Sequence, residues 1–67
     1  MNWDTVKGQW KQFTGQVKQK WGQLTDDDLT TIGGQKDQLL GKLQERYGYT
    51  KEKAQKELDD FLAASKP

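Results

Sequence analysis

Asp26, Asp27 and Asp28 form the only acidic run in the chain, and Asp59-Asp60 is the only other acidic pair, so metal or carboxylate chemistry would have to start there. A calcium loop needs alternating oxygen ligands, a central glycine and a terminal glutamate, and DDDLTTIGG lacks that order. The run fits helix capping better: Thr25 is a candidate N-cap with Asp28 three residues on, and Asp26 and Asp27 place negative charge where the helix dipole favours it. The chain contains no histidine and no cysteine. This excludes a disulfide framework, thiolate and imidazole ligands, and imidazole acid/base catalysis. Ser65, the only serine, stands in the closing SKP with no histidine to activate it. No nucleophile elbow, phosphate-binding loop or dinucleotide fingerprint is present. The reading is a protein that is not an enzyme, with no catalytic, cofactor-binding or metal-ligating residue.

Basic residues give the other candidate chemistry. Residues 1–24 carry Lys7, Lys11, Lys18 and Lys20 against Asp4 alone, although the whole chain has a net charge of only +1. Lysines interleaved with Trp10, Phe13 and Trp21 could offer phosphate contact with base stacking. The same aromatics, however, fall on the apolar side of a helix, where burial takes them away from bases. Lys7, Lys11 and Lys18 therefore define a candidate interaction face for one specific partner. Nucleic acid is disfavoured by the near-zero net charge, and a membrane surface ranks lower still because the basic excess is small.

The elements that carry these residues read as helices throughout. At ~100° per residue, Trp3, Val6, Trp10, Phe13, Val17, Trp21 and Leu24 fall within an arc of ~80°, the signature of one long helix with one buried face. Asn2 is its expected N-cap, with Asp4 in the first turn. Leu29 and Ile32 supply a short second helix that ends at Gly33-Gly34. Ile32, Leu39, Leu40, Leu43 and Tyr47 form the next stripe, broken at Gly48. Thr50 starts a last helix in which Ala54, Leu58, Phe61 and Leu62 share a face. Helices are predicted over 3–21, 26–32, 35–47 and 51–64, with no strand.

An internal repeat underlies this order. Shifting GQWKQFTGQVKQKWG by 26 residues lays it over GQKDQLLGKLQERYG, matching Gly8, Gln9, Gln12, Gly15 and Gly22 with Gly34, Gln35, Gln38, Gly41 and Gly48. The expected architecture is one all-α domain over 1–67, four helices arranged as two related helical hairpins. Its expected core is Trp10, Phe13, Val17, Trp21, Leu39, Leu43, Leu58 and Phe61. Gly22 and Gly48 read as C-cap residues with positive φ, and Gly34 fits a turn. Gly8, Gly15 and Gly41 are interior to helices, where each costs ~1 kcal/mol relative to alanine. Three explanations stand for them: close approach of another backbone or helix, helicity held low so that the chain stays hydrated and responds to water activity, or drift.

Composition makes that cost matter. Leu, Ile, Val and Phe make up about 18% of the chain, just under the ~20% below which highly charged chains tend to disorder. Three tryptophans, two tyrosines and two phenylalanines act in the other direction. A chain of this size gains no more than ~3–5 kcal/mol from a single core. The N-terminus has an early acidic residue and no apolar leader segment, and no apolar run approaches the ~20 residues of a membrane span. The expectation is a cytoplasmic monomer without a transmembrane segment.

The stretch WKQFTGQVKQKWGQLTDDDL, followed by GQKDQLLGKLQERYGYTKEKAQKEL, resembles the CsbD-like family of small bacterial general-stress proteins. The matching pattern is W-K-x-F-x-G-x-V-K-x-x-W-G-x-L-T-D-D-D from Trp10 to Asp28, then G-K-x-Q-x-x-Y-G-Y from Gly41 to Tyr49. The resemblance implies packed helical hairpins, induction under stress and no catalytic residues. Some members are grouped with hydrophilins, glycine-rich hydrophilic proteins associated with water deficit. Seven glycines, nine glutamines and a mean hydropathy of −1.13 suit that grouping. The leading expectation is a hydrated shield for nonspecific protein clients, and the alternative is a small module that binds a protein or nucleic acid through Lys7, Lys11 and Lys18.

Overall fold

The computed structural model describes residues 2–64, and Ser65 with the rest of the closing tripeptide lies outside them. The described residues contain five helices and no strand: α1 (Trp3–Gly8), α2 (Trp10–Lys20), α3 (Asp26–Ile32), α4 (Lys36–Tyr47) and α5 (Lys51–Ala64). The all-helical reading holds, but the count of four does not. The helix expected over 3–21 is two helices, interrupted at Gln9.

Local chemistry explains where α1, α3 and α5 start, while α2 and α4 open at Gln9 and Gln35 without a side-chain cap. Asn2 caps α1, its Oδ1 accepting from the Thr5 N–H at 3.0 Å. A reciprocal capping box opens α3: the Asp28 N–H donates to Thr25 Oγ1 at 3.1 Å, and the Thr25 N–H donates to Asp28 Oδ2 at 3.0 Å. Thr50 Oγ1 accepts from the Lys53 N–H at 3.1 Å and so tethers the first turn of α5. Left-handed glycines close two helices, Gly33 with φ 54° after α3 and Gly48 with φ 70° after α4. Gly22 does not do the same. Trp21 ends α2 at φ −120°, and Gly22 is not among the positive-φ residues. The chain leaves α2 through Trp21, which is buried in the core, without a left-handed residue.

The interruption at Gln9 coincides with a tertiary contact. Gln9 sits at φ −125°, ψ 37°, and its N–H is shared between Thr5 O at 3.1 Å and Val6 O at 3.2 Å. Opposite this point the turn after α3 brings in Gly34. A methyl placed on Gly34 would stand 3.4 Å from both Lys7 O and Trp10 Cβ. The Trp3 indole N–H reaches across and donates to Gly34 O at 3.0 Å. The α3–α4 turn thus packs against the chain where the helix breaks. Gly8, the last residue of α1, eases the departure from helical geometry because glycine is a poor helix former.

The core is one cluster that all five helices enter, and Trp21, Leu24, Ile32, Leu39, Leu43 and Leu58 are among its fully buried members. Seven of the eight expected core residues are buried; Trp10 is the exception. It is half-buried at the edge, against Trp3 with ring centroids 6.0 Å apart, and its indole N–H donates to Leu29 O at 3.0 Å. An indole with a polar end is accommodated there because the N–H finds a carbonyl. Trp21 is placed differently, packed on Phe61 at 5.4 Å, and its buried Nε1 has no hydrogen-bond partner among the described residues. An unpaired buried donor costs ~1–3 kcal/mol, which narrows an already small margin. The radius of gyration, 10.7 Å, is close to the roughly 11 Å of a packed chain of this length.

Candidate functional site

The solvent side of these helices mixes charged residues of both signs with glutamines and glycines. Gly8, Gly15 and Gly41 are all exposed. A methyl at any of them would meet no heavy atom within 4 Å beyond its chain neighbours and its own helix backbone. Close approach within the chain is therefore excluded as their explanation. Around them Gln9, Gln12, Gln16, Gln19, Gln23, Gln35 and Gln38 are exposed, while no large apolar side chain is exposed among the described residues. The surface can hydrogen-bond along its whole length and offers no sizeable apolar patch. Of the three glycine pairs related by the 26-residue shift, only Gly15 and Gly41 share an environment. Gly34 is buried in a contact where Gly8 is open, and Gly48 is left-handed where Gly22 is not.

Lys7, Lys11 and Lys18 are exposed, but they do not form one continuous helical face. The break at Gln9 puts Lys7 on α1 and the other two on α2. Lys18 donates to Asp26 Oδ1 at 2.8 Å, so a carboxylate from α3 offsets its charge. Both partners of this pair are well exposed, and such a pair is worth little to stability. Lys11 and Lys7 have no carboxylate partner among the described residues.

The strongest electrostatic feature was not visible as a constellation in the sequence. Asp28, read as a helix-capping residue, is also the buried anchor of an ion-pair cluster, with a side chain 4% exposed. Arg46 on α4 binds it bidentately, Nε to Oδ2 and Nη2 to Oδ1, both at 2.9 Å. Lys42 Nζ stands 3.7 Å from Oδ1. One carboxylate therefore caps α3 and ties it to α4. The only sequence signal was a cation 18 residues away with no marked spacing.

The hydrogen bonds from Arg46, then that from the Thr25 backbone, hold the Asp28 carboxyl well below the usual carboxylate range, against the opposing effect of burial. Asp28 raises the already high Arg46 value in return. Because the folded value lies below the unfolded one, stability from this group is fully present above the unfolded carboxylate value of about 4 and is lost as pH falls below it. Thermal melts between neutral and strongly acidic pH should show that loss, and Asp28→Asn should start lower and have a flatter acid limb. A wild-type acid limb unchanged in the variant would remove Asp28 from the account.

This geometry offers a helix cap, a cross-link between α3 and α4, and a polar surface, and known proteins resemble the chain over most of its length. The sequence model described as CsbD-like matches residues 4–56. The UPF0337 protein YjbJ of Escherichia coli K12 is 61% identical over 61 residues, spanning 91% of this chain and 88% of the relative. The UPF0337 protein pc0632 of Protochlamydia amoebophila is also 61% identical, over 91% of this chain and 92% of its own. UPF0337 protein PA4738 of Pseudomonas aeruginosa is 57% identical over 91% and 94%. With a family match across most of its length and relatives of this identity, the chain belongs to the CsbD-like family.

Proposed function

We propose that this chain is a non-enzymatic protein of the bacterial general stress response that acts as a hydrated shield for other macromolecules when water is scarce. The proposal includes one cytoplasmic, monomeric domain over 1–67 whose two related helical units hold nonspecific protein clients at their polar surface. The observation that carries it is the solvent-facing placement of Gly15 and Gly41 inside α2 and α4, where an added methyl would meet no other described part of the chain. Each interior glycine lowers helicity by ~1 kcal/mol without serving the core. A sequence that gives up stability in this way while exposing glutamine keeps its backbone and side chains available to water and to clients. Membership of a family expected to be stress-induced supports the same reading. No helix among the described residues is long and apolar enough to cross a membrane.

The test is to dry and rehydrate a labile enzyme with this protein, beside an equal mass of an unrelated soluble helical protein. The expected result is clearly higher recovered activity with this protein. Equal recovery would contradict the shield and favour the second reading, a module that engages one specific partner. Lys7 and Lys11, with no carboxylate partner among the described residues, support that second reading, and the Asp26 carboxylate on Lys18 weakens it.

A further inference from the structure

The chain around the break between α1 and α2 borders a hollow of about 370 Å³. Lys7, Gly8, Gln9, Trp10, Lys11 and Gln12 line it, so cations, amides and an indole share one space and no carboxylate does. Neither lysine has a carboxylate partner among the described residues. Asp4 and Asp37 share a different hollow with Lys7, together with Trp3 and Lys36.

Burial would keep aromatic rings from a ligand, and for Phe13 and Trp21 it does. Trp10 is the exception. It is half-buried, and its N–H is committed to Leu29 O at 3.0 Å, so what it offers is ring carbon rather than a donor. Every nucleic-acid base has a π-face and stacks on an aromatic side chain without regard to sequence. Gly8 adds room beside Lys7. It is exposed, and even a methyl there would meet nothing within 4 Å, so a ligand backbone can come close.

A ligand that uses both the charge and the indole must be anionic and carry flat unsaturated rings. An acidic peptide meets the first demand and not the second. A duplex keeps its bases stacked within itself, and a bilayer would call for exposed large apolar side chains, of which the described residues have none. A single strand meets both demands. We infer that the α1–α2 junction docks single-stranded nucleic acid, with a base laid on Trp10 and neighbouring phosphates held by Lys7 and Lys11. This rests on the second functional reading, a module for one partner, and gives that partner a class. Lys18, whose charge Asp26 offsets, has no part in the contact.

The test titrates the full chain, labelled with nitrogen-15, with an oligothymidylate of about ten nucleotides and follows the indole N–H resonances. Trp10 should shift saturably and Trp21 should not. Two phosphate contacts correspond to a slope of about −1.4 for log affinity against log salt, so affinity should fall about 25-fold from roughly 20 to 200 mM salt. Lys7→Gln and Lys11→Gln should each reduce that fall to about fivefold. Trp10→Leu should weaken binding about fivefold or more and leave the salt slope unchanged. Melting curves check that each variant is folded. An abasic strand of the same length puts the stacking question to the wild type, and it should bind about fivefold or more weakly. No saturable Trp10 shift, or equal binding of the abasic strand or of thymidine monophosphate, would overturn the assignment. Polyglutamate bound as tightly through Lys7 and Lys11 would overturn the nucleic-acid class and leave the partner module standing, whereas binding of neither polyanion would remove both.

Discussion

Replacing Gly15 and Gly41 together by alanine should raise the melting temperature by roughly 8–16 °C, because each interior glycine costs ~1 kcal/mol and ~1 kcal/mol moves a domain of this size by about 4–8 °C. The two sites lie on different helices, α2 and α4, and both open to solvent, so their effects should add. A methyl at either position meets nothing beyond its own helix backbone and chain neighbours. Gly8→Ala should contribute less, since Gly8 is the last residue of α1 beside the break. Thermal melts followed by circular dichroism decide the matter. A fall in melting temperature would mean that something outside this chain packs closely on these faces.

Gly34→Ala should act in the opposite direction and with comparable size. Gly34 has φ 89°, where a side chain is strained, and an added Cβ would lie 3.4 Å from Lys7 O and Trp10 Cβ and 3.5 Å from Lys7 Cα. Left-handed backbone costs a non-glycine residue ~1–2 kcal/mol, and two of these three neighbours are backbone atoms that cannot rotate away. The contacts themselves are at ordinary van der Waals distance, so the backbone sets the loss at ~1–2 kcal/mol, still a large part of the ~3–5 kcal/mol expected for the whole core. The damage should begin at α1, whose Trp3 bonds to Gly34 O and whose Val6 is fully buried. Hydrogen exchange should show the Val6 amide losing protection before the amides of α4. A neutral Gly34→Ala would show that the α3–α4 turn does not hold the break at Gln9.

These two glycine predictions show what could be read from the sequence and what could not. Local chemistry was legible: the Thr25–Asp28 box, the Asn2 and Thr50 starts, and the left-handed stop at Gly48 all depend on neighbours within four residues. The core was legible for a related reason, because the 3.6-residue spacing of Phe13, Val17, Leu39, Leu43, Leu58 and Phe61 leaves one way to bury them together. Contacts between distant residues were not. The apolar stripe from Trp3 to Trp21 is continuous in the sequence, and only the turn at Gly34, far along the chain, reveals that the helix beneath it is broken. Asp28 read as a capping residue because its second role depends on Arg46 arriving from α4. Trp10 carried the period of a core residue, but its indole N–H keeps it at the rim beside Leu29 O. Of the candidate face, the residue types and exposure of Lys7, Lys11 and Lys18 were legible. Its division between two helices and the offset of Lys18 by Asp26 were not.

If the exposed glycines keep the chain loose and hydrated, as proposed, stiffening α2 and α4 should weaken protection. A labile enzyme should be dried and rehydrated with equal masses of the wild-type chain and of the Gly15→Ala/Gly41→Ala variant, each first confirmed to be folded. On the proposed role, the variant should melt higher and protect less. A variant that melts higher and protects as well as the wild type would contradict it, since looseness at Gly15 and Gly41 would then have no part in protection.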